Sequence, residues 1–342
     1  MNPALPPPPV PWYTHPRFNR IKRALTPTSS SFSEASTPSP PPIRKLINAV
    51  YYPNWRVYLN RPPSSMPLTL ISHIFYAFLH VDAEGTIIPS DEYADTQISV
   101  DSTNGLLSSL PTLKAMNPHL KIILSIGGGG RGSANFAAIA MDSKKAERFA
   151  ESARVVVDEY ELDGIDLDWE HPDSPALGYA YLQLLHRLRS RLPRPRYILT
   201  SALPAGEWAL QNIPLAETSS VLDLINLMAY DFTGPWTPKS GHHARLYSPR
   251  NSADGENGIS GDAAVRYLQS RGVPSEKILL GIPAYGRSFL GCRDVAETPT
   301  GHGGDEGTFE FRELPRPGAS EHVDLVAVAA YCVGGDGGFV TY

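Results

Sequence analysis

Seven short, almost continuously apolar runs constrain this chain more than any other feature. They are Leu46–Tyr52, His73–Val81, Lys121–Ile126, Gly164–Trp169, Tyr197–Leu203, Leu222–Met228 and Ile278–Ala284. Runs of that length read as strands, and strands apolar on both faces belong in a parallel sheet covered on both sides. Helix-like stretches lie between several of them. Ala146–Tyr160 and Ala176–Leu192 repeat apolar residues at helical period, and Pro193 and Pro195 end the second. Such alternation means a parallel sheet with helices outside. Seven strands over this length fit an α/β class (β/α)8 TIM barrel better than an open doubly wound sheet.

The fourth run carries an anomaly. Leu162-Asp163-Gly164-Ile165-Asp166-Leu167-Asp168-Trp169-Glu170 packs four acids into a buried strand. Strand side chains alternate between faces, so Asp166, Asp168 and Glu170 share one face, roughly 6–7 Å apart at alternate residues. Ile165, Leu167 and Trp169 take the other. Like charges at this range raise a carboxyl's pKa and keep a proton on it near neutrality, which makes a general acid. A solvated face is the plainer reading, and the apolar opposite face speaks against it. A hard-cation site would need oxygen ligands from other loops as well. Asp163 has the wrong parity and reads as a structural acid at the strand start.

In a barrel, functional groups come from the C-terminal ends of strands. These ends here are Tyr51-Tyr52-Pro53-Asn54-Trp55, Phe75-Tyr76-Ala77-Phe78, Ser125-Ile126-Gly127-Gly128, Glu170, Ala202-Leu203-Pro204-Ala205-Gly206, Met228-Ala229-Tyr230-Asp231 and Ala284-Tyr285-Gly286-Arg287. The acid run matches the D-G-x-D-x-D-x-E signature of glycoside hydrolase family 18, the chitinases. Each strand end resembles its counterpart there, in the same order, over residues 46–342.

The resemblance implies hydrolysis of β-1,4-linked N-acetylglucosamine in chitin or chito-oligosaccharides, with retention and a substrate-assisted mechanism. Glu170 is then the acid and base. Asp168 holds the acetamido N–H, Asp166 shares a proton with it, and Tyr230 donates to the acetamido oxygen with help from Asp231. Tyr52, Trp236 and Tyr285 are candidates for stacking on sugar rings. Arg287 faces the groove or pairs with an acid, Met228 lies beside the site, and Gly127 and Gly128 let backbone approach the pocket. Trp208 is either a sugar contact or core. Family members often carry an aromatic where Gly129 stands here. A non-hydrolytic chitin-binding lectin and an endo-β-N-acetylglucosaminidase share the pattern. The intact Glu170, Asp168 and Tyr230 favour the enzyme.

The resemblance also sets the expected organisation. Residues 1–45 form a proline-rich disordered leader, 46–287 the catalytic barrel, and 288–342 an incomplete small α+β insertion after strand seven. A short helix is expected at Val323–Tyr331, with strand pieces at Thr308–Arg312 and Phe339–Tyr342. No eighth strand follows, so a truncated chain, and even an inactive one, is expected.

Gly127-Gly128-Gly129-Gly130-Arg131-Gly132 satisfies the G-x-G-x-x-G dinucleotide pattern, but on the third strand rather than in an opening βαβ unit. It is read as close backbone approach. No cofactor or metal is expected. His242 and His243, being adjacent, are read as loop residues rather than ligands, and Met66, Met141 and Met228 as core.

Composition limits partners. The net charge of −5 over 342 residues gives no basis for binding nucleic acid or an anionic membrane, and no apolar run is long enough to cross a bilayer. A monomer is expected. Twelve of the 33 prolines fall in residues 1–42, and no apolar signal-peptide core is visible there. A cytoplasmic or leaderless protein is therefore expected, with an extracellular one as the alternative. The two cysteines, Cys292 and Cys332, are expected to be reduced core residues.

Overall fold

The structure, a computed structural model, describes residues 46–248 and 258–342. The expected proline-rich leader lies outside the described residues. The chain begins with β1 (Ala49–Pro53) and β2 (His73–Val81), followed by β3 (Ile87–Pro89), α1 (Glu92–Thr96) and the small hairpin of β4 (Ser99–Val100) and β5 (Thr103–Asn104). Next come α2 (Leu106–Met116), β6 (Lys121–Gly127), α3 (Phe136–Met141), α4 (Ser143–Glu159), β7 (Gly164–Asp168) and α5 (Pro175–Arg191). Then follow β8 (Ile198–Pro204), α6 (Glu207–Leu210), α7 (Leu215–Val221), β9 (Leu224–Met228), α8 (Gly261–Ser270) and β10 (Ile278–Leu280).

Parallel pairing joins β1, β2, β6, β7, β8, β9 and β10 in that order, with β3 antiparallel on β2. The expected strands and long helices are therefore present, displaced by a few residues at their ends. α4 shows why the helices sit outside. Its buried residues Ala146, Phe149, Ala150, Ala153 and Val157 recur at three- and four-residue spacing and form one stripe against the sheet. Asp142 caps its start by accepting from the Lys144 and Lys145 N–H groups. Ser174 does the same for α5, with Pro175 in the first turn, where no N–H is needed.

A second, antiparallel sheet follows: β11 (Tyr285–Phe289), β12 (Thr308–Glu310), β13 (Ala319–Asp324), β14 (Ala329–Gly334) and β15 (Phe339–Thr341), in the order β12-β11-β15-β14-β13. The helix expected at Val323–Tyr331 is absent; β13 and β14 form a hairpin there. The physical reason is the turn. The Asp324 carboxylate accepts from the Val326 and Ala327 N–H groups, and Val328 has φ +52°, so the chain reverses before a helical turn can form. The residues expected to form an α+β piece contain strands and one 3₁₀ turn, Phe311–Glu313. Cys292 and Cys332 are buried free thiols in this sheet's two small cores. Met66 packs half-buried on the main core, but Met141, at the exposed end of α3, does not belong to it. Among the described residues no helix is long and apolar enough to cross a membrane.

Candidate active site

The acids of β7 point into the interior of the parallel sheet. Asp166 is wholly buried and accepts four hydrogen bonds: Tyr51 OH at 2.8 Å, Ser125 Oγ at 2.8 Å, Thr200 Oγ1 at 2.6 Å and Asn226 Nδ2 at 3.0 Å. These donors come from β1, β6, β8 and β9, so one carboxylate draws four strands together. Asp168 is also buried, yet its Oδ1 has no partner. Burial raises the pKa of both carboxyls. At Asp166 the donors oppose that rise. At Asp168 the charges of Asp166 and Glu170 add to it. The pair therefore holds a proton more tightly than ordinary carboxyls do.

Glu170 follows directly, half-buried. Burial first, then the charge of Asp231, raises its pKa. Its N–H donates to Ser133 Oγ at 2.8 Å, and Ser133 in turn donates to the Gly128 carbonyl at 2.8 Å. The glycine run thus braces the acid strand. Gly127 has φ +121°, and a Cβ on it would lie 2.0 Å from the Asp168 carbonyl oxygen. A Cβ on Gly129 would point at Glu170, 3.5 Å from Oε2. The dinucleotide-like pattern is used here for close packing, as expected.

A second cluster forms beside the first. Asp231, just past β9, has φ +58°, a left-handed conformation uncommon for a residue with a Cβ. Arg287 grips it with two hydrogen bonds of 2.8 Å, and Tyr285 OH donates to it at 2.8 Å. His243 Nδ1 lies 3.4 Å away. Burial alone would raise this carboxyl, but His243, Arg287 and Tyr285 together hold it well below the ordinary carboxylate range. Tyr230 packs edge-on to Tyr285 with ring centroids 6.3 Å apart, and burial beside Asp168 and Asp231 pushes its phenol up, so it stays a donor. The Arg287 guanidinium lies 4.8 Å over the exposed Trp236 ring. Met228 ends β9, half-buried.

Tyr52 needs correcting. It lies on the outer face of β1, buried next to Tyr76, and its hydroxyl donates to the Arg61 carbonyl at 2.8 Å. Strand parity explains this: with Tyr52 outward, Tyr51 is the tyrosine that faces the acids. Asp163 is structural, as expected, accepting from the Ile122 N–H and pairing with Lys114 and Lys121. Trp208 is 60% exposed, so it is not core, and its ring stands edge-on to His171. His242 and His243 are loop residues but wholly covered.

Sequence reasoning missed Tyr51, Ser125, Thr200 and Asn226. The signal was present: each is a polar residue inside an apolar run, at the parity that faces the acids.

The model for "Glycosyl hydrolases family 18" matches residues 47–342. The chain belongs to this family. Among family 18 relatives, a "Chitinase 1" from Aphanocladium album is 35% identical over 305 residues, covering 83% of this chain and 72% of its own length. A chitinase structure from Bacillus thuringiensis superposes with a TM-score of 0.78 at 27% identity, covering 86% of this chain and 61% of that one. A family 18 chitinase from Cycas revoluta, solved in complex with (GlcNAc)3, gives a TM-score of 0.74 at 28% identity and covers 87% of each chain. The barrel fold and the chitinase-type glycosidase expected from the acid run are both borne out.

Proposed function

We propose that the chain hydrolyses β-1,4 linkages between N-acetylglucosamine residues of chitin or chito-oligosaccharides, with retention, using the substrate's own acetamido group. One observation carries the mechanism: the buried, unpartnered oxygen of Asp168, set between the fully donated Asp166 and the raised Glu170. A carboxyl so placed awaits a donor, and an acetamido N–H supplies one. Glu170, protonated, gives its proton to the leaving glycosidic oxygen. The acetamido carbonyl oxygen attacks the anomeric carbon and forms a cyclic oxazolinium. Asp168 accepts from the N–H and stabilises the positive charge, while Asp166 shares its proton. Tyr230 donates to the acetamido oxygen and aligns it. Water then attacks the anomeric carbon, Glu170 takes its proton, and the ring opens. A nucleophile already inside the substrate needs none from the protein; the protein's task is orientation.

Asp231, Tyr285, Arg287, Trp236 and Met228 line the binding groove in this reading, and the antiparallel sheet forms one wall.

The test is turnover of a fluorogenic chitobioside. Glu170→Gln should lower kcat by about 10²–10⁴-fold, the usual worth of general acid help, and still bind chito-oligosaccharide. Undiminished turnover in that variant sinks the assignment.

A further inference from the structure

His243 is fully buried, lies at long hydrogen-bond distance from a charged site residue and also meets the Tyr285 backbone, and takes no part in the chemistry above. Its surroundings define what it can do. Residues 241–243 run beside 231–233: the Phe232 N–H donates to the His243 carbonyl at 3.0 Å, and Thr233 Oγ1 donates to the Gly241 carbonyl at 2.7 Å. The neighbouring His242 turns away, with Nδ1 3.2 Å from Thr341 Oγ1 and Nε2 3.3 Å from Asp324. The loop is thereby pinned to the antiparallel sheet on one side and to the end of β9 on the other. The charged groups facing the His243 ring are Asp231 from the end of β9 and Arg287 from β11, and the ring also meets the Tyr285 backbone. Its ring lies 5.4 Å from that of Tyr285.

The tautomer follows. A carboxylate only accepts, so Nδ1 must carry the hydrogen that points at Asp231. Nε2 is buried and makes no hydrogen bond of good geometry; Asp231 and the Tyr285 backbone favour a charged ring, but burial, with the Arg287 charge, outweighs them. Burial accordingly holds the imidazole below its ordinary pKa, and the ring is a fixed neutral donor.

We propose that His243 is a positioning residue: its Nδ1–H is the third clamp on Asp231, holding that carboxylate in the Arg287 fork and at a fixed height against Glu170 and Tyr230. Arg287 and Tyr285 both approach Asp231 from β11. His243 approaches from the loop, so among the described residues it is the donor to Asp231 that is not carried by β11. The proposal rests on the hydrolase reading for its kinetic readouts alone.

The experiment compares His243→Asn, whose amide nitrogen can stand in for Nδ1, with His243→Leu, which fills the space without donating. His243→Leu should lower kcat/KM on the chitobioside about tenfold, the worth of one hydrogen bond to a charged group. It should also move the alkaline limb of the kcat/KM profile to lower pH, because a displaced Asp231 raises Glu170 less. His243→Asn should restore both. In a Glu170→Gln background the same pair is read by chito-oligosaccharide affinity, with a similar loss for Leu and recovery for Asn. Equal damage by both variants, or none by Leu, overturns the proposal. If the parent chain binds but never cleaves while the affinity pattern holds, the hydrolase reading falls and the positioning role stands. A nitrogen-15 spectrum of the unmodified protein needs no variant: an Nδ1–H tautomer is expected, and an Nε2–H tautomer overturns the assignment.

Discussion

Two carboxylate sites, one buried and one partly buried, lie side by side here and behave oppositely. The Asp166–Asp168 pair is surrounded by hydroxyls and an amide and has no cation among its hydrogen-bond donors. Burial wins, and proton affinity rises. Asp231 is more open, its side chain 31% exposed, and a two-pronged guanidinium and two further donors meet it, so its proton affinity falls. Neutral donors fix where a carboxylate sits without dictating its charge, whereas a cation dictates both. In the proposed mechanism the first site moves protons, and the second holds a constant negative charge beside it.

That contrast can be broken from either side. The largest effect is expected from Asp168→Asn. It keeps the shape and an amide oxygen that still accepts from the acetamido N–H, but removes the negative charge that stabilises the oxazolinium, and kcat should fall by about 10²–10³-fold, as when an electrostatic stabiliser is lost. Arg287→Met strips the cation from the second site. Breaking a partly buried pair should lower stability by about 2–3 kcal/mol at pH 7, read by urea denaturation. The sign of the pH dependence follows from the depressed Asp231 pKa. Its contribution is full above the unfolded carboxylate value of about 3.9 and is lost as pH falls through the folded value. The gap between parent and Arg287→Met should therefore narrow in acid; a gap that widens there would contradict the assigned direction. Thr200→Val removes one of the four donors to Asp166 and should cost about 1 kcal/mol, with kcat reduced several-fold. Trp236→Ala should act least. Losing an exposed ring under Arg287 is worth about 0.5–1 kcal/mol, read as a few-fold rise in KM.

The sequence made the first site more legible than the second. Asp166, Asp168 and Glu170 share a strand, so the period of two places them together without tertiary knowledge. Asp231, Tyr285, Arg287 and His243 come from three separate segments, and only the pairing of β11 with its neighbours brings them together. Tyr52 was misassigned because two tyrosines stand in sequence, and the strand's parity was left undetermined by apolar residues on both faces. The β13–β14 hairpin was misread because Val323–Tyr331 is aliphatic at spacings that also suit a helix. The deciding feature was Asp324 closing a turn through backbone N–H groups, which hydrophobic periodicity does not register.

The pairing of β11 has a consequence for how the protein matures. Arg287 sits opposite Thr341, and β11 is flanked by β12 and β15 rather than by its predecessor in the chain. The grip on Asp231 therefore waits for residues 285–341 to be made, whereas Tyr51, Ser125, Thr200 and Asn226, the donors to Asp166, all precede them in the chain. The proton-handling acids of β7 can be in place while Asp231 is still loosely held. During synthesis, the acid strand should be assembled before the clamp around Asp231 is complete.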